Sequence, residues 1–252
     1  MSFGVEVHLL TWNEEMILPY ALRHYGTFAT RICVHDAGST DRTREIIAAS
    51  QAELWEWDTG NQFNDLAAMN LKNRAWRGTD ARWVIMADAD EFYYFPQGAA
   101  EMLAQFDRAG VCVVKPRGWE MLSETLPTTA GQIYDEIRMG ARDDHWYAKP
   151  ILFSAERVQS IEFGAGAHSC QYTRFDGRRF GFQPESFSNP ETLLLHFHQI
   201  GPIERIARIY DERRERLSEI NVARGRGNFK PGMEHALEKR NFILAGLQVV
   251  NL

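Results

Sequence analysis

Apolar residues in the first part of the chain fall in short continuous runs, separated by longer segments in which they recur with helical spacing. The runs at residues 5–10, 32–35, 53–57, 83–87 and 111–115 are bounded by turn-forming residues and predict strands buried on both faces. The segments between them predict helices over residues 19–29, 42–50, 65–77 and 97–108, the first preceded by a turn at Asn13–Glu15 and opened by Pro19. Strands alternating with helices predict an α/β fold with a mainly parallel central sheet flanked by helices, of the Rossmann-like kind.

The rhythm then changes. Residues 118–142 show no clear period and contain Pro127, Thr128 and Thr129, which predicts a long irregular excursion across one face. Residues 148–154, 162–163 and 193–200 read as strands, and Phe175-Asp176-Gly177-Arg178 as a hairpin turn. In the tail, Ile203, Ile206, Ala207, Tyr210 and Leu217 form an apolar stripe. Glu204, Arg205, Arg208, Asp211, Arg214 and Arg216 lie opposite, which predicts an amphipathic helix. A loop over residues 225–232 and a last helix over 233–250 complete the helical C-terminal segment.

Composition narrows the classes. The 252 residues are 44% apolar, enough for a sizeable core, and carry a formal charge of −6, which argues against a general nucleic-acid binder. Cys33, Cys112 and Cys170 are odd in number and far apart, so neither a zinc site nor a disulfide framework is indicated, and a reducing, cytoplasmic setting is expected. The N-terminus reads as a strand and not a signal peptide, and no apolar run is long enough to span a membrane.

The strongest chemical feature is Asp88-Ala89-Asp90-Glu91 after the run Trp83–Ala87. Ligands of parallel sheets gather at strand carboxyl ends. Side chains two apart on a strand share a face, so Asp88 and Asp90 are expected to converge on one cation. Hard oxygen ligands favour Mg²⁺ or Mn²⁺, which leave positions open for phosphates. A solvated acidic loop capping the next helix is the alternative. His168 lies among glycines in Gly164-Ala165-Gly166-Ala167-His168, and His196 and His198 flank Phe197 on one predicted strand. Each of the last two is either a ligand of diphosphate or acceptor, or a core histidine.

Thr11-Trp12-Asn13-Glu14 ends the first predicted strand, Asp36-Ala37-Gly38-Ser39-Thr40-Asp41 ends the second, and Lys72-Asn73 precedes the fourth. With Leu18-Pro19, His24-Tyr25 and Asp88–Phe92, this pattern resembles the family 2 glycosyltransferases with the GT-A fold, over residues 5–95. The resemblance implies a GT-A domain over residues 1–200, with a nucleotide-sugar half at 1–115 and an acceptor half at 116–200. Residues 201–252 would be a helical extension of the same domain.

It further implies that Thr11, Asn13, Glu14, Asp36, Lys72, Asn73, Asp88 and Ala89 bind the nucleotide sugar, with Asp36 on the base and Lys72 on the phosphates. Ala37 stands where the family usually has a second aspartate, and Lys72 where it has an arginine. Asp88, Asp90 and a late histidine, here His168, would hold Mn²⁺ or Mg²⁺; a histidine on a glycine-rich loop without ligand role is equally open. An inverting transfer needs a base for the acceptor hydroxyl. Asp144 and Asp143 are the first candidates and Glu120 the second. The acceptor, whether glycan, lipid or protein, is open, as is a peripheral membrane contact. The rival functions are a sugar nucleotidyltransferase, which would normally place a glycine-rich loop after the first strand, and a non-catalytic sugar- or nucleotide-binding module.

Overall fold

The computed structural model describes residues 4–182, 191–227 and 230–252. Four parallel strands, β1 (Val5–Thr11), β2 (Arg31–Asp36), β3 (Glu53–Glu56) and β4 (Trp83–Asp88), stand in the order β3-β2-β1-β4. Every residue of β1 is buried, because helices and loops cover both faces and no side chain is left for solvent. Its polar residues are satisfied internally: His8 lies 2.8 Å from the Glu6 carboxylate and 2.9 Å from the His35 ring, and Arg31 donates to Glu6 at 3.1 Å. The helices between these strands are α1 (Leu18–Tyr25), α2 (Thr43–Ala48) and α3 (Asp65–Arg74). Asn64 caps α3 by accepting from Ala67 N.

The sheet does not stay parallel. Beyond β4 lie β9 (Leu152–Ser154) and β6 (Val113–Val114), both antiparallel to their neighbours. A second sheet runs in the order β14 (Leu247–Val249), β8 (Met139–Arg142), β7 (Arg117–Ser123), β13 (Leu193–Ile200) and β5 (Glu91–Tyr94), with only β7 and β13 parallel. The fold is therefore α/β with mixed sheets, not a mainly parallel one. A small antiparallel sheet, β10 (Val158–Phe163), β11 (Cys170–Arg174) and β12 (Arg179–Phe182), turns at Gly177 as the hairpin motif predicted.

Residues 118–142 are likewise not an irregular excursion. They hold most of β7, a short helix α5 (Ile133–Glu136) and β8. Gly118–Leu122 of β7 are buried in succession, and a strand covered on both faces shows no alternation to read. Helix α4 (Ala99–Arg108) precedes β6, and the C-terminal segment comprises α6 (Ile203–Glu215), α7 (Glu219–Ala223) and α8 (Gly232–Ala245). The last predicted helix ends early: α8 stops at Gly246, and residues 247–249 pair with β8 as an edge strand. Among the described residues, no helix is long and apolar enough to cross a membrane.

Gly118 sets how β7 meets the loop at residues 143–148. A Cβ there would lie 2.1 Å from both Ala148 N and Tyr147 C. Gly118→Ala should therefore destabilise the fold by roughly 2–3 kcal/mol through overpacking against backbone that cannot withdraw. Urea denaturation of the two proteins checks this, with a lower midpoint expected for the variant.

Candidate functional site

β4 ends at Asp88 and β5 begins at Glu91, so Ala89 and Asp90 form the turn by which the chain leaves one sheet for the other. Asp88 and Asp90 are thus not alternate residues of one strand, as strand periodicity suggested; a tight turn brings them together. The turn is held from three sides. Ala89 N donates to Leu10 O at 3.0 Å and Phe197 N to Asp90 O at 2.8 Å, fixing it to β1 and β13. Asp88 N donates to Glu91 Oε2 at 3.0 Å. From α1, the Tyr25 hydroxyl donates to Glu91 O at 2.6 Å and accepts from Tyr93 N at 3.1 Å, while His24 Nε2 donates to Tyr93 O at 3.0 Å.

Each carboxylate of the turn faces a basic group. Lys72 Nζ of α3 donates to Asp88 Oδ1 at 2.7 Å. Lys149 Nζ is paired with the fully buried Glu91 and lies 4.0 Å from Asp88 Oδ2. His198 Nδ1 of β13 lies 3.2 Å from Asp90 Oδ2, and His196 Nδ1 lies 3.8 Å from Glu91 Oε1. Burial pushes the pKa of Asp88 up, but Lys72 and Lys149 outweigh it and hold the group below the ordinary carboxylate value. For Asp90 burial is again opposed, by the His198 hydrogen bond and the charges of His198 and Arg213, which keep it well below that range. Burial and the charge of Arg213 lower the pKa of His198, against the hydrogen bond and charge of Asp90. With Nδ1 turned to Asp90, Nε2 of the ring is buried without a partner.

A cleft of about 190 Å³ opens beside the turn. Thr11, Asn13, Glu14, Lys72, Asp88 and Asp90 all line it, so these six of the residues singled out in the sequence come together. Asn13 adopts a left-handed φ of 54° and accepts from Thr40 N at 2.8 Å, tying the loops after β1 and β2. Burial and the charge of Asp90 push Glu14 up to about 8.

Three other candidates are spent on the fold and do not line the cleft. Asp36 is buried; its carboxylate accepts from Ser39 N at 3.1 Å and from Ser39 Oγ at 2.5 Å, and meets Arg44 Nε at 3.4 Å, while Ala37 takes the lining position. Asn73 accepts from Phe163 N at 2.8 Å and holds α3 to β10. Ala89 is buried and acts through its backbone.

The acceptor-side candidates separate in the same way. Asp143 caps its own turn, accepting from His145 N at 2.9 Å and Trp146 N at 3.2 Å. Asp144 accepts from Gly118 N at 3.0 Å and is paired with Arg142. Glu120, by contrast, is buried in register with His196 across β7 and β13, and its Oε1 has no partner. Burial and the charge of Asp90 push it up to about 8, against a hydrogen bond from Tyr147. His168 follows the glycine-rich turn whose Gly164 and Gly166 line the cleft; its ring meets Trp146 edge-on at 5.3 Å and its Nδ1 is buried without a partner. Burial, reinforced by Lys149, lowers its pKa to about 4.

Sequence reasoning missed the contribution of α6. Arg213 and Arg216 line the cleft. The Arg216 guanidinium lies 3.3 Å from the centroid of the Trp12 ring, a cation–π stack. Arg216 O accepts from Phe63 N and Phe63 O from Ser218 N, at 3.1 Å for the latter, so the end of α6 is clasped to the loop before α3. The cleft, at about 190 Å³, is smaller than the roughly 300–1,000 Å³ of typical ligand pockets. The signal was present: the apolar stripe of α6 fixes which residues can turn inward beyond Tyr210.

No family model and no curated relative matches the sequence. Among solved structures, the chain is similar to S. aureus TarS 1-349, at 15% identity and a TM-score of 0.42, over 60% of this chain and 47% of that one. The same protein in complex with UDP matches at 14% identity and a TM-score of 0.41, over 60% of this chain and 46% of that one. Glucosyl-3-phosphoglycerate synthase from Mycobacterium tuberculosis, in complex with Mn²⁺, UDP and glucosyl-3-phosphoglycerate, matches at 19% identity and a TM-score of 0.31, over 45% of this chain and 43% of that one. The chain spans less than half the length of each of these structures.

The buried Lys149–Glu91 pair makes a direct prediction. Lys149→Met leaves the Glu91 carboxyl buried without its partner and should cost roughly 3–5 kcal/mol, whereas Lys149→Met with Glu91→Gln should recover much of that loss. Chemical denaturation of the single and double variants measures both.

Proposed function

We propose that this chain is a metal-dependent glycosyltransferase, moving a sugar from a nucleoside diphosphate sugar to an acceptor hydroxyl. The observation that carries the reading is the pair Asp88 and Asp90, both held ionised on one turn at the floor of a cleft that also collects Lys72 and Arg213. Two ionised carboxylates beside two cations suit a ligand that is itself a cation and a polyanion together.

Asp88 and Asp90 offer carboxylate oxygens that suit a hard divalent ion, Mg²⁺ or Mn²⁺, and His168, whose Nδ1 is buried without a partner, is the residue we assign as a further ligand, although among the described residues no third ligand atom stands within 4.8 Å of both carboxylates. When bound, such an ion supplies neutralisation of the diphosphate charge. Lys72 stands at Asp88 to share that task. Arg213 makes no ion pair among the described residues, although it lines the cleft, and is free to take a phosphate oxygen.

Glu120 is the group we assign as base, because Asp143 and Asp144 are engaged in turn and strand contacts. In the transfer, the acceptor oxygen attacks the anomeric carbon from the face opposite the diphosphate. The bond from that carbon to the diphosphate oxygen breaks, its electron pair leaves with the nucleoside diphosphate, and the hydroxyl proton passes to Glu120. Direct displacement of this kind inverts the anomeric centre. The Tyr147 hydrogen bond orients the carboxyl.

The test is a panel of nucleoside diphosphate sugars incubated with candidate acceptors, with and without Mn²⁺. Metal-dependent release of nucleoside diphosphate is expected, and Asp90→Asn should reduce it at least about a hundredfold. Pyrophosphate release from a nucleoside triphosphate and a sugar phosphate would point instead to a nucleotidyltransferase. The pH profile is a second check. With a pKa of about 8, Glu120 is protonated below that value, and a base must be ionised. Transfer should therefore rise with pH through the neutral range, reach half its maximum near that value and level off above it. Glu120→Gln should abolish transfer while leaving donor binding within about twofold.

A further inference from the structure

We propose that the acceptor carries an anionic group, and that Lys239 and His235 of α8 hold it beside Glu120; the inference rests on the transferase reading given above. α6 and α8 pack against each other, and Tyr210 of α6 stands between the cleft and α8. Its ring lies 5.2 Å from that of His198 on one side and 4.3 Å from that of His235 on the other, nearly perpendicular to the latter. Gln199 Nε2 donates to its hydroxyl at 2.6 Å, which fixes the ring. One aromatic ring thus separates His235 from the partner of Asp90. Lys239 follows His235 by four residues and so shares its helix face.

Lys239 is the unmatched charge of this wall. Arg142 is paired with Asp144, Lys149 with Glu91, and Lys230 with Glu234 and Glu238. Arg240 donates to Gly201 O at 2.9 Å. Lys239 is half-buried and makes neither an ion pair nor a hydrogen bond among the described residues. α8 packs on β7 and β8 with Ile243 against Leu122 and Ala141; Lys239 lies one turn before Ile243 on the same helix face, and Glu120 shares a face of β7 with Leu122. The acid nearest Lys239 on its own helix, Glu238, is exposed and held by Lys230. A half-buried ammonium with no partner offers an arriving anion a charge-assisted hydrogen bond. A lysine acts as a compact point charge and suits a phosphoryl or carboxylate group. Placed beside the group assigned as base, it selects acceptors that bear their charge near the reacting hydroxyl.

Inorganic phosphate and acetate are the probes, titrated calorimetrically into protein loaded with Mn²⁺ and UDP or GDP, and into the nucleotide-free protein. The expected result is one saturable anion site per chain, weakened about tenfold by Lys239→Ala, kept by Lys239→Arg and unchanged by Lys230→Ala. Preference for phosphate or for acetate assigns the group as phosphoryl or carboxylate. Absence of a saturable site, or equal affinity in Lys239→Ala, overturns the proposal. Failure of both nucleotides to bind would instead overturn the transferase reading, while the nucleotide-free titration still decides on Lys239. Alanine is the best helix former, so the variant at this half-buried position retains the fold.

Discussion

Three carboxylates crowd into four residues at the β4–β5 turn, and the molecule is organised around keeping them there. Asp88, Asp90 and Glu91 would repel one another and pay heavily for desolvation if left alone. Each instead meets a base from a different part of the chain: Lys72 from α3, His198 from β13 and Lys149 from the approach to β9. These three pairings draw the two sheets and α3 onto one point. The same turn is also where the chain passes from the first sheet to the second, so the electrostatic centre and the topological centre coincide.

This coincidence explains a division of labour among the acids. Glu91 is fully buried and paired, which makes it structural. Asp88 keeps 38% of its side-chain surface exposed and faces the cleft, while Asp90 is ionised yet linked to only one ring nitrogen. The strand supplies rigidity, the turn supplies convergence, and the helical C-terminal segment supplies the missing positive charge through Arg213. Arg216, stacked on Trp12, lines the cleft from the α6 side.

Much of the parallel half was legible in the sequence because its signals are local. Short apolar runs ended by Asn13, Asp36 and Asp88 placed β1, β2 and β4 and the edge on which they end. The His24-Tyr25 pair was noticed as a motif, but its reason is visible only in three dimensions: both side chains hold the backbone of β5. Of the second sheet only β13 was legible, as the apolar run at residues 193–200; β7 is covered on both faces and β5 is a four-residue strand that begins inside the aspartate motif. Asp36 and Asn73 show the limit on the site. Their residue types suit a nucleotide pocket and suit turn and helix contacts equally well, and the structure shows them in the latter kind of hydrogen bond. Asp143 and Asp144 likewise sit in turn and strand hydrogen bonds, whereas the burial of Glu120 is announced by no local pattern.

The claim that the turn holds a cation which in turn grips a diphosphate is tested most directly by calorimetric titration of UDP and of GDP with Mn²⁺ present and with a chelator. The account predicts that one of them binds at least about tenfold more tightly with Mn²⁺, and that Asp88→Asn removes the gain. Equal affinity with and without the metal in the unaltered protein would contradict it.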